Sequence, residues 1–313
     1  MKVLAIDGGG IRGLIPALVL AEIERRTGRR IAEMFDLIAG TSTGGILACG
    51  LARRGPDGGP AHTAEELADL YVTEGPKIFH QSLVKEVTSV GGLADERYDD
   101  AALNAALETY LGDARLKEVL TDVFLTAYDI QDRFAFFFRS SRARGDDAYD
   151  FSLAEAARAT SAAPTYFEPV AVTDAAGERT YPLIDGGIYA VNPAMCAYVE
   201  VADAPSELEV LASLGTGSQT RAYDIDDVKD WGAIEWAKPV IDMIFDGGAD
   251  TVDFEAGKLA GERYMRFQAT LRYASDALDD ASPANLRRLE GDAERLIAER
   301  SADIETLCEV IAG

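Results

Sequence analysis

Residues 35–47, FDLIAGTSTGGIL, constrain the fold of this chain more than any other stretch. The first half is a nearly continuous apolar run, as expected of a strand buried on both faces, and Gly44 opens a run with helical character. Ser42 lies at the turn between them, and the flanking Gly40 and Gly44 complete the pattern GxSxG. This pattern is typical of a serine held on a strained elbow with its Oγ clear of the backbone. The strand-turn-helix context therefore favours a nucleophile at Ser42 over an ordinary polar turn.

A glycine-rich loop follows the first predicted strand. Residues 3–6 are apolar, and residues 14–26 carry a helical pattern that Gly28 ends. The loop between them consists of Asp7, Gly8, Gly9, Gly10, Ile11, Arg12 and Gly13. Such a loop presents several backbone N–H groups at a helix N-terminus, where negative charge is favoured. We therefore expect an anionic group to bind there.

Two anions fit this loop. The sequence GGGIRG matches GxGxxG, the dinucleotide fingerprint, which would place a pyrophosphate on the loop. That interpretation needs an acidic residue at the end of the next strand, which instead ends in glycine, threonine and Ser42. We prefer the oxyanion that develops when Ser42 attacks a carbonyl, because adjacent parallel strands bring the loops at their carboxyl ends together.

Strands and helices alternate along the whole length, which predicts an α/β fold. We expect a mainly parallel central sheet covered by helices on both faces, as a three-layer sandwich, with a last strand at 263–271 and a long helix at 283–311. Another apolar strand, 181–184, leads into Asp185, Gly186 and Gly187, a sequence that also suits a simple Asx-turn. Because the carboxyl ends of parallel strands share one sheet edge, we expect Asp7, Ser42 and Asp185 at that edge.

The base that would activate Ser42 is not a histidine. The chain has only His62 and His80, and neither fits the chain order of the known histidine-containing triads. We assign both to the surface or to local packing. A carboxylate base remains, and Asp185 is the leading candidate because its strand-end position and glycine neighbours would let it reach into a cleft.

The motifs of this chain resemble those of a known family. The motifs DGGGIRG at 7–13, GTSTG at 40–44 and DGG at 185–187 are similar, in this order, to those of the patatin-like phospholipases. Three further segments, TSAAPTYFEPV at 160–170, DGGIYAVNPA at 185–194 and SLGTG at 213–217, are similar to family segments as well. The resemblance covers most of the chain.

The resemblance implies a patatin-like fold and a lipid acyl hydrolase that releases fatty acids from phospholipids or other acyl-lipid esters, without a metal or other cofactor. It implies a dyad of Ser42 and Asp185, with backbone N–H groups around Gly8, Gly9 and Gly10 as the oxyanion hole and Arg12 supporting the loop. We expect one domain over 1–313, with the core motifs in 1–217 and a more variable helical part in 218–313. The alternatives are a catalytically silent module that binds lipid or a protein partner, and a nucleotide-binding protein.

Composition bounds the partners and the compartment. The formal net charge of −24, without a basic stripe, argues against nucleic acid as a partner and against long-range attraction to anionic membranes. Repulsion between charges decays within about 8 Å at physiological salt, so transient contact of an apolar patch with a membrane or micelle stays compatible with this charge. The three cysteines are odd in number and far apart, which disfavours a disulfide framework. With no signal-peptide pattern and no long apolar run, we expect a cytoplasmic protein.

Two apolar stretches have alternative interpretations. In residues 75–98, Ile78, Phe79, Leu83 and Val87 suit local core packing better than a lid over an acyl-chain groove. Residues 231–245 suit a core or subunit-contact helix better than a lipid-docking surface, which keeps an oligomer open.

Overall fold

The sheet is built from short apolar segments separated by glycine-containing loops. The computed structural model describes residues 1–80, 98–201, 207–218 and 223–313, and in these parts eight strands form one sheet. The strands are β1 (Lys2–Ile6), β2 (Leu37–Gly40), β3 (Asp122–Asp129), β4 (Phe134–Arg139), β5 (Val170–Thr173), β6 (Thr180–Asp185), β7 (Val210–Leu214) and β8 (Tyr264–Phe267). Their order is β5-β6-β3-β2-β1-β7-β8, with β4 also paired to β3.

The sheet is mixed rather than purely parallel. β3, β2, β1, β7 and β8 are neighbours joined by parallel pairings, which form the expected parallel part. β4 and β6 both pair with β3 in the antiparallel sense, and β5 pairs with β6 in the same way. The α/β sandwich is therefore confirmed, with antiparallel strands at one side.

Strand β3 brings the ends of β2 and β6 together. β4 pairs with β3 from Phe124 to Asp129 and so occupies one edge of it, which leaves β2 and β6 to share the other edge. β2 pairs with the first half of β3 and β6 with the second half, in the opposite direction. Gly40 lies opposite Leu125 and Asp185 opposite Ala127, so the last residues of the two strands approach each other along β3. Asp185 thus comes to the sheet edge expected for it, but on an antiparallel strand.

Helices cover both faces of the sheet, as predicted. They are α1 (Leu14–Thr27), α2 (Thr43–Ala52), α3 (Ala64–Thr73), α4 (Gly75–Ile78), α5 (Asp100–Leu111), α6 (Ser140–Gly145), α7 (Leu153–Thr160), α8 (Gly187–Ala190), α9 (Ala194–Glu200), α10 (Ile225–Val228), α11 (Ala233–Ala260), α12 (Pro283–Glu299) and α13 (Ser301–Ala312). Leu4 and Ile6 of β1 pack into a large apolar cluster with α1, α2, α3 and α12, while Val3 and Ala5 pack against α9 and α11. None of the described helices combines the length and the apolar character needed to span a bilayer.

The carboxyl-terminal elements differ from the sequence expectation. The helix predicted over 283–311 is interrupted at Arg300, whose φ of −107° separates α12 from α13. The Arg300 guanidinium donates a hydrogen bond to the carbonyl of Arg266 and lies over the ring of Phe267. The break between the two helices therefore coincides with contacts to β8. The predicted strand 263–271 is shorter, because only Tyr264–Phe267 pairs with β7.

A buried ion pair fastens the glycine-rich loop to β8. Asp7 follows β1 and is 2% exposed, and both of its carboxylate oxygens accept hydrogen bonds from the Arg266 guanidinium, at 2.9 and 2.6 Å. Arg266 also donates to Ser213 Oγ on β7, at 2.8 Å, so one side chain links β8, β7 and the loop after β1. Such bidentate pairs fix geometry strongly.

Replacing Arg266 by methionine should destabilise the protein by about 3–5 kcal/mol, because the Asp7 carboxylate would stay buried without its partner. Urea denaturation measures this loss. Lys229→Met is the matched control, since its ion pair with Asp226 is exposed and should contribute less than about 1 kcal/mol. Equal, small losses in both variants would contradict the structural role of the Asp7–Arg266 pair.

Candidate active site

The elbow around Ser42 depends on close backbone contacts. Ser42 has φ 54° and ψ −125°, a conformation that L-residues rarely adopt, and it caps the N-terminus of α2. A Cβ on Gly40 would lie 2.3 Å from the carbonyl oxygen of Gly44, and one on Gly44 would lie 2.1 Å from that of Ile6. Both positions therefore require glycine, and the elbow is pressed against the end of β1.

The backbone of Ser42 is held from the opposite side by Thr160, the last residue of α7. The Ser42 N–H donates to Thr160 Oγ1 at 2.9 Å, and Thr160 Oγ1 donates in turn to the carbonyl of Thr126 on β3 at 2.6 Å. The position of the serine is thus tied to both α7 and β3. Its side chain lies at the surface of a cavity and is largely buried.

Asp185 ends β6 inside the protein and is 0% exposed. Its backbone N–H donates to the carbonyl of Ala162 at 3.0 Å, and its Oδ1 accepts a hydrogen bond from the N–H of Gly187 at 2.7 Å. Oδ2 has no hydrogen bond of good geometry from any described residue. A Cβ on Gly187 would lie 2.5 Å from the ring of Phe245, so the glycine lets this aromatic side chain pack next to the carboxylate.

Burial sets the proton affinity of Asp185. Desolvation raises its pKa to about 7, against the smaller opposing effects of the Ser42 side chain and the Gly187 N–H. Ser42 is therefore near enough to act on the carboxyl group, although their contact does not meet the geometry of a good hydrogen bond. Apo sites often show long or poorly aligned contacts of this kind.

Some backbone N–H groups of the glycine-rich loop already donate to carbonyls elsewhere in the protein. Gly8 donates to the carbonyl of Val191 and Ile11 to that of Leu278, both at 2.9 Å. Gly10 has φ 56°, and a Cβ there would lie 2.1 Å from the Leu278 carbonyl oxygen. Among the described residues, no acceptor takes the N–H of Gly9 or Gly10, and the same holds for the N–H of Thr43 at the start of α2.

A small apolar cavity, partly open to solvent, joins these groups. Its lining is Gly10, Ile11, Ser42, Thr43, Ile46, Leu70, Tyr71, Gly75, Ile78, Phe79, Leu103, Ser161, Ala163, Tyr166, Phe167, Asp185, Phe245 and Leu278. Among the described residues, this lining holds no lysine or arginine, and Asp185 is the one carboxylate. Such a lining suits an uncharged apolar group.

The structure brings some of the predicted site residues together and separates others. Ser42, Asp185 and Gly10 line the apolar cavity, and Gly8 lies against Ser42. Asp7 and Arg12 instead line a neighbouring polar cavity behind the loop. Arg12 is buried, and its backbone N–H and its side-chain Nε both donate to the carbonyl of Gly9, at 3.1 and 3.5 Å.

The remaining motif glycines lie where side chains would collide. A Cβ on Gly13 would meet Thr43 Oγ1 at 2.2 Å, and one on Gly186 would meet Thr126 Oγ1 at 2.3 Å. Neither histidine lines the cavity: His62 contacts the carbonyl of Tyr110 at 2.7 Å, and His80 is exposed.

The two apolar stretches with alternative interpretations both contribute to the cavity. Ile78 and Phe79 line it and also pack against the core, while Leu83 and Val87 lie outside the described residues. From residues 231–245, Phe245 lines the cavity and is buried, whereas Val240, Met243 and Ile244 are exposed, so only part of this stretch belongs to the core.

Sequence reasoning missed Thr160, Ser161 and Phe245 as parts of the site. Thr160 and Ser161 belong to the segment TSAAPTYFEPV, whose only signal in the sequence is its similarity to a family segment. Phe245 carries no local signal, because its place depends on how α11 crosses the site. The described residues contain no group of three or more His, Cys, Asp or Glu side chains arranged to hold a metal ion.

Comparison with known proteins identifies the family. The model of the patatin-like phospholipase family matches residues 4–198, which include the glycine-rich loop, Ser42 and Asp185. The chain belongs to the patatin-like phospholipase family. Family membership supports lipid acyl hydrolase activity in the broad sense.

Plant proteins are among the relatives of this patatin-like chain. Patatin-like protein 1 of Oryza sativa subsp. indica is 33% identical over 96% of this chain and 82% of its own length. Patatin-like protein 4 of Arabidopsis thaliana is 30% identical over 95% of this chain and 83% of its own length. Probable inactive patatin-3-Kuras 1 of Solanum tuberosum is 29% identical over 95% of this chain and 86% of its own length.

Asp185→Asn should stabilise the protein at pH 8. Because burial raises the folded-state pKa, the folded protein holds this proton more tightly than the unfolded chain, and stability is lost as pH rises toward and through about 7. The asparagine amide does not ionise, so the variant should gain up to about 4 kcal/mol in free energy of unfolding over the parent at pH 8. Thermal unfolding at pH 5 and pH 8 tests it: the gain over the parent should shrink at the lower pH. A variant that is less stable than the parent at pH 8 would contradict a desolvated carboxylate.

Proposed function

We propose that this protein is a lipid acyl hydrolase in which Ser42 is the nucleophile and Asp185 the general base. One observation carries the proposal: a strained serine and a buried carboxyl group with a pKa of about 7 line the same apolar cavity. An ordinary aspartate is too weak a base to activate a hydroxyl, whereas a carboxylate with its pKa near neutrality is suited to the task. Neither His62 nor His80 lines this cavity.

In the acylation step, the Oγ of Ser42 attacks the carbonyl carbon of an ester while Asp185 takes the hydroxyl proton. The tetrahedral intermediate collapses when the bond to the alcohol breaks, and Asp185 returns the proton to the leaving oxygen. In the second step, water attacks the acyl-enzyme with the same base. The fatty acid leaves and Ser42 regains its proton.

The oxyanion requires N–H donors that no protein acceptor occupies. Since Gly8 donates to Val191, we place the oxyanion hole at the N–H groups of Gly9, Gly10 and Thr43. Gly10 and Thr43 line the cavity directly, and Thr43 follows the nucleophile, the position that supplies an oxyanion donor in other serine hydrolases with this elbow. Arg12 and the Asp7–Arg266 pair hold the loop in place.

The cavity lining indicates the substrate class. An acyl chain is uncharged and apolar, and it matches a cavity whose described lining is apolar and carries no cationic side chain. Lipid esters of this kind are presented in bilayers or micelles, so transient contact with such a surface is part of the proposal. The nucleotide alternative is disfavoured, because the loop's Gly8 and Ile11 N–H groups are already used within the protein.

Labelling with an alkyl phosphonate tests the nucleophile. We expect a covalent adduct on Ser42 by peptide mass spectrometry and its loss in Ser42→Ala, with hydrolysis of a p-nitrophenyl acyl ester reduced by several orders of magnitude. Ser141→Ala, an exposed serine remote from the cavity, is the matched control and should label like the parent. A folded parent protein that acquires no adduct would support a catalytically silent module instead.

The pH profile tests the base. As Asp185 must be ionised to accept a proton, kcat/KM should rise about tenfold per pH unit below about 7 and level off above it. The ester should be uncharged, so that only the enzyme titrates, and circular dichroism at each pH confirms folding. A rate that stays constant down to pH 4 would exclude Asp185 as the base.

A further inference from the structure

Ser161 lies between the segments that fix the nucleophile and the base. The preceding residue, Thr160, accepts the N–H of Ser42, and the carbonyl of the following residue, Ala162, accepts the N–H of Asp185. Ser161 also lines the apolar cavity together with Ser42 and Asp185. The backbone on either side therefore places a third polar side chain at the same cavity.

The hydroxyl of Ser161 has no partner in the described parts of the protein. The residue is 6% exposed, and its Oγ is buried without a hydrogen bond. Its backbone is engaged, since the N–H donates to the carbonyl of Ala157 at 3.2 Å and the carbonyl accepts from Ala163 at 2.9 Å. A serine near a helix end commonly bonds a carbonyl one turn earlier, but this hydroxyl does not. A buried polar atom of this kind calls for an explanation, because leaving it unpaired costs free energy.

A second oxygen at the cavity is in the same condition. Oδ2 of Asp185 has no hydrogen bond of good geometry, while its Oδ1 is held by the N–H of Gly187. A water molecule that donated one hydrogen to Asp185 Oδ2 and the other to Ser161 Oγ would satisfy both atoms.

We infer that Ser161 positions the water that hydrolyses the acyl-enzyme, an inference that rests on the proposed function. The water oxygen bonds to the acyl carbon while one of its protons passes to Asp185. The other hydrogen stays on this oxygen and donates to Ser161 Oγ. This hydrogen bond orients the water so that a lone pair of its oxygen faces the acyl carbon. When the bond from the acyl carbon to Ser42 Oγ breaks, Asp185 returns its proton to Ser42, and the fatty acid carries the water oxygen.

This role concerns deacylation rather than acylation. The oxyanion donors lie on the glycine-rich loop and at Thr43, whereas Ser161 is joined to Asp185 through the Ala162 hydrogen bond. In the first step the proton that moves belongs to Ser42 and needs no water. Loss of the Ser161 hydroxyl should therefore slow only the second step.

Pre-steady-state hydrolysis of a p-nitrophenyl acyl ester separates the two steps. For Ser161→Ala we expect a burst rate within about twofold of the parent and a steady-state rate lowered by about 10-fold to 100-fold, with KM lowered in parallel. Acyl-Ser42 should accumulate and be visible by mass spectrometry. Added hydroxylamine, a stronger nucleophile than water, should restore turnover.

Two further variants and one control keep the test specific. Ser161→Cys places a weak sulfur acceptor at the same position and should behave like Ser161→Ala, whereas Ser161→Thr keeps the hydroxyl and should recover deacylation. Ser152→Ala removes the N-cap of the same helix, α7, away from the cavity, and should lower thermal stability without changing the ratio of the two rates.

The inference is wrong if Ser161→Ala slows both phases equally, or if neither phase changes in either Ser161→Ala or Ser161→Cys. In these cases the parent still forms acyl-Ser42, so the proposed function stands. If the folded parent forms no acyl-Ser42 at all, the proposed function and this inference fail together.

Discussion

The site depends on the burial of a carboxyl group, Asp185, that has no cationic partner among the described residues. Asp7 and Asp185 are both buried at the ends of strands, but only Asp7 is neutralised, by the bidentate contact with Arg266. Desolvation disfavours the ionised form of Asp185, and only the weaker effects of the Ser42 side chain and the Gly187 N–H act against it. A buried carboxylate without compensation destabilises a fold, and in the proposed mechanism this one lies where a proton acceptor is needed. The two carboxyl groups thus share a buried strand-end position and differ in their partners.

The position of Asp185 follows from the way β3 is shared. Because β3 is longer than β2, its second half is free to pair with β6, which runs toward the end of β2. Thr160, the last residue of α7, then holds Ser42, and Ala162, two residues later, holds Asp185. Two residues that are far apart in sequence are therefore held by neighbouring backbone hydrogen bonds, which leaves little freedom in their relative placement.

Features formed by residues close in sequence were predicted, whereas features that depend on contacts between distant residues were not. The elbow at Ser42 could be predicted from the sequence because it is formed by residues a few positions apart. The direction of β6, the break at Arg300 and the cavity contact of Phe245 depend on partners distant in sequence, so periodicity does not reveal them. The strand-end position of Asp185 was predicted correctly although the assumed parallel direction was not.

The cavity that would hold the acyl chain is also the environment that raises the pKa of Asp185. Its apolar wall includes Phe245, which packs against Gly187 next to the carboxyl group. An acyl chain in the cavity would exclude further water from this side, and the lower local polarity would favour the neutral form of Asp185 still more. In the proposed mechanism, proton transfer from Ser42 to Asp185 removes the buried charge while the oxyanion forms at the amide donors. Substrate binding and base strength would then be linked through the same apolar surface, and the negative charge would move from a poorly solvated carboxylate to the amide donors.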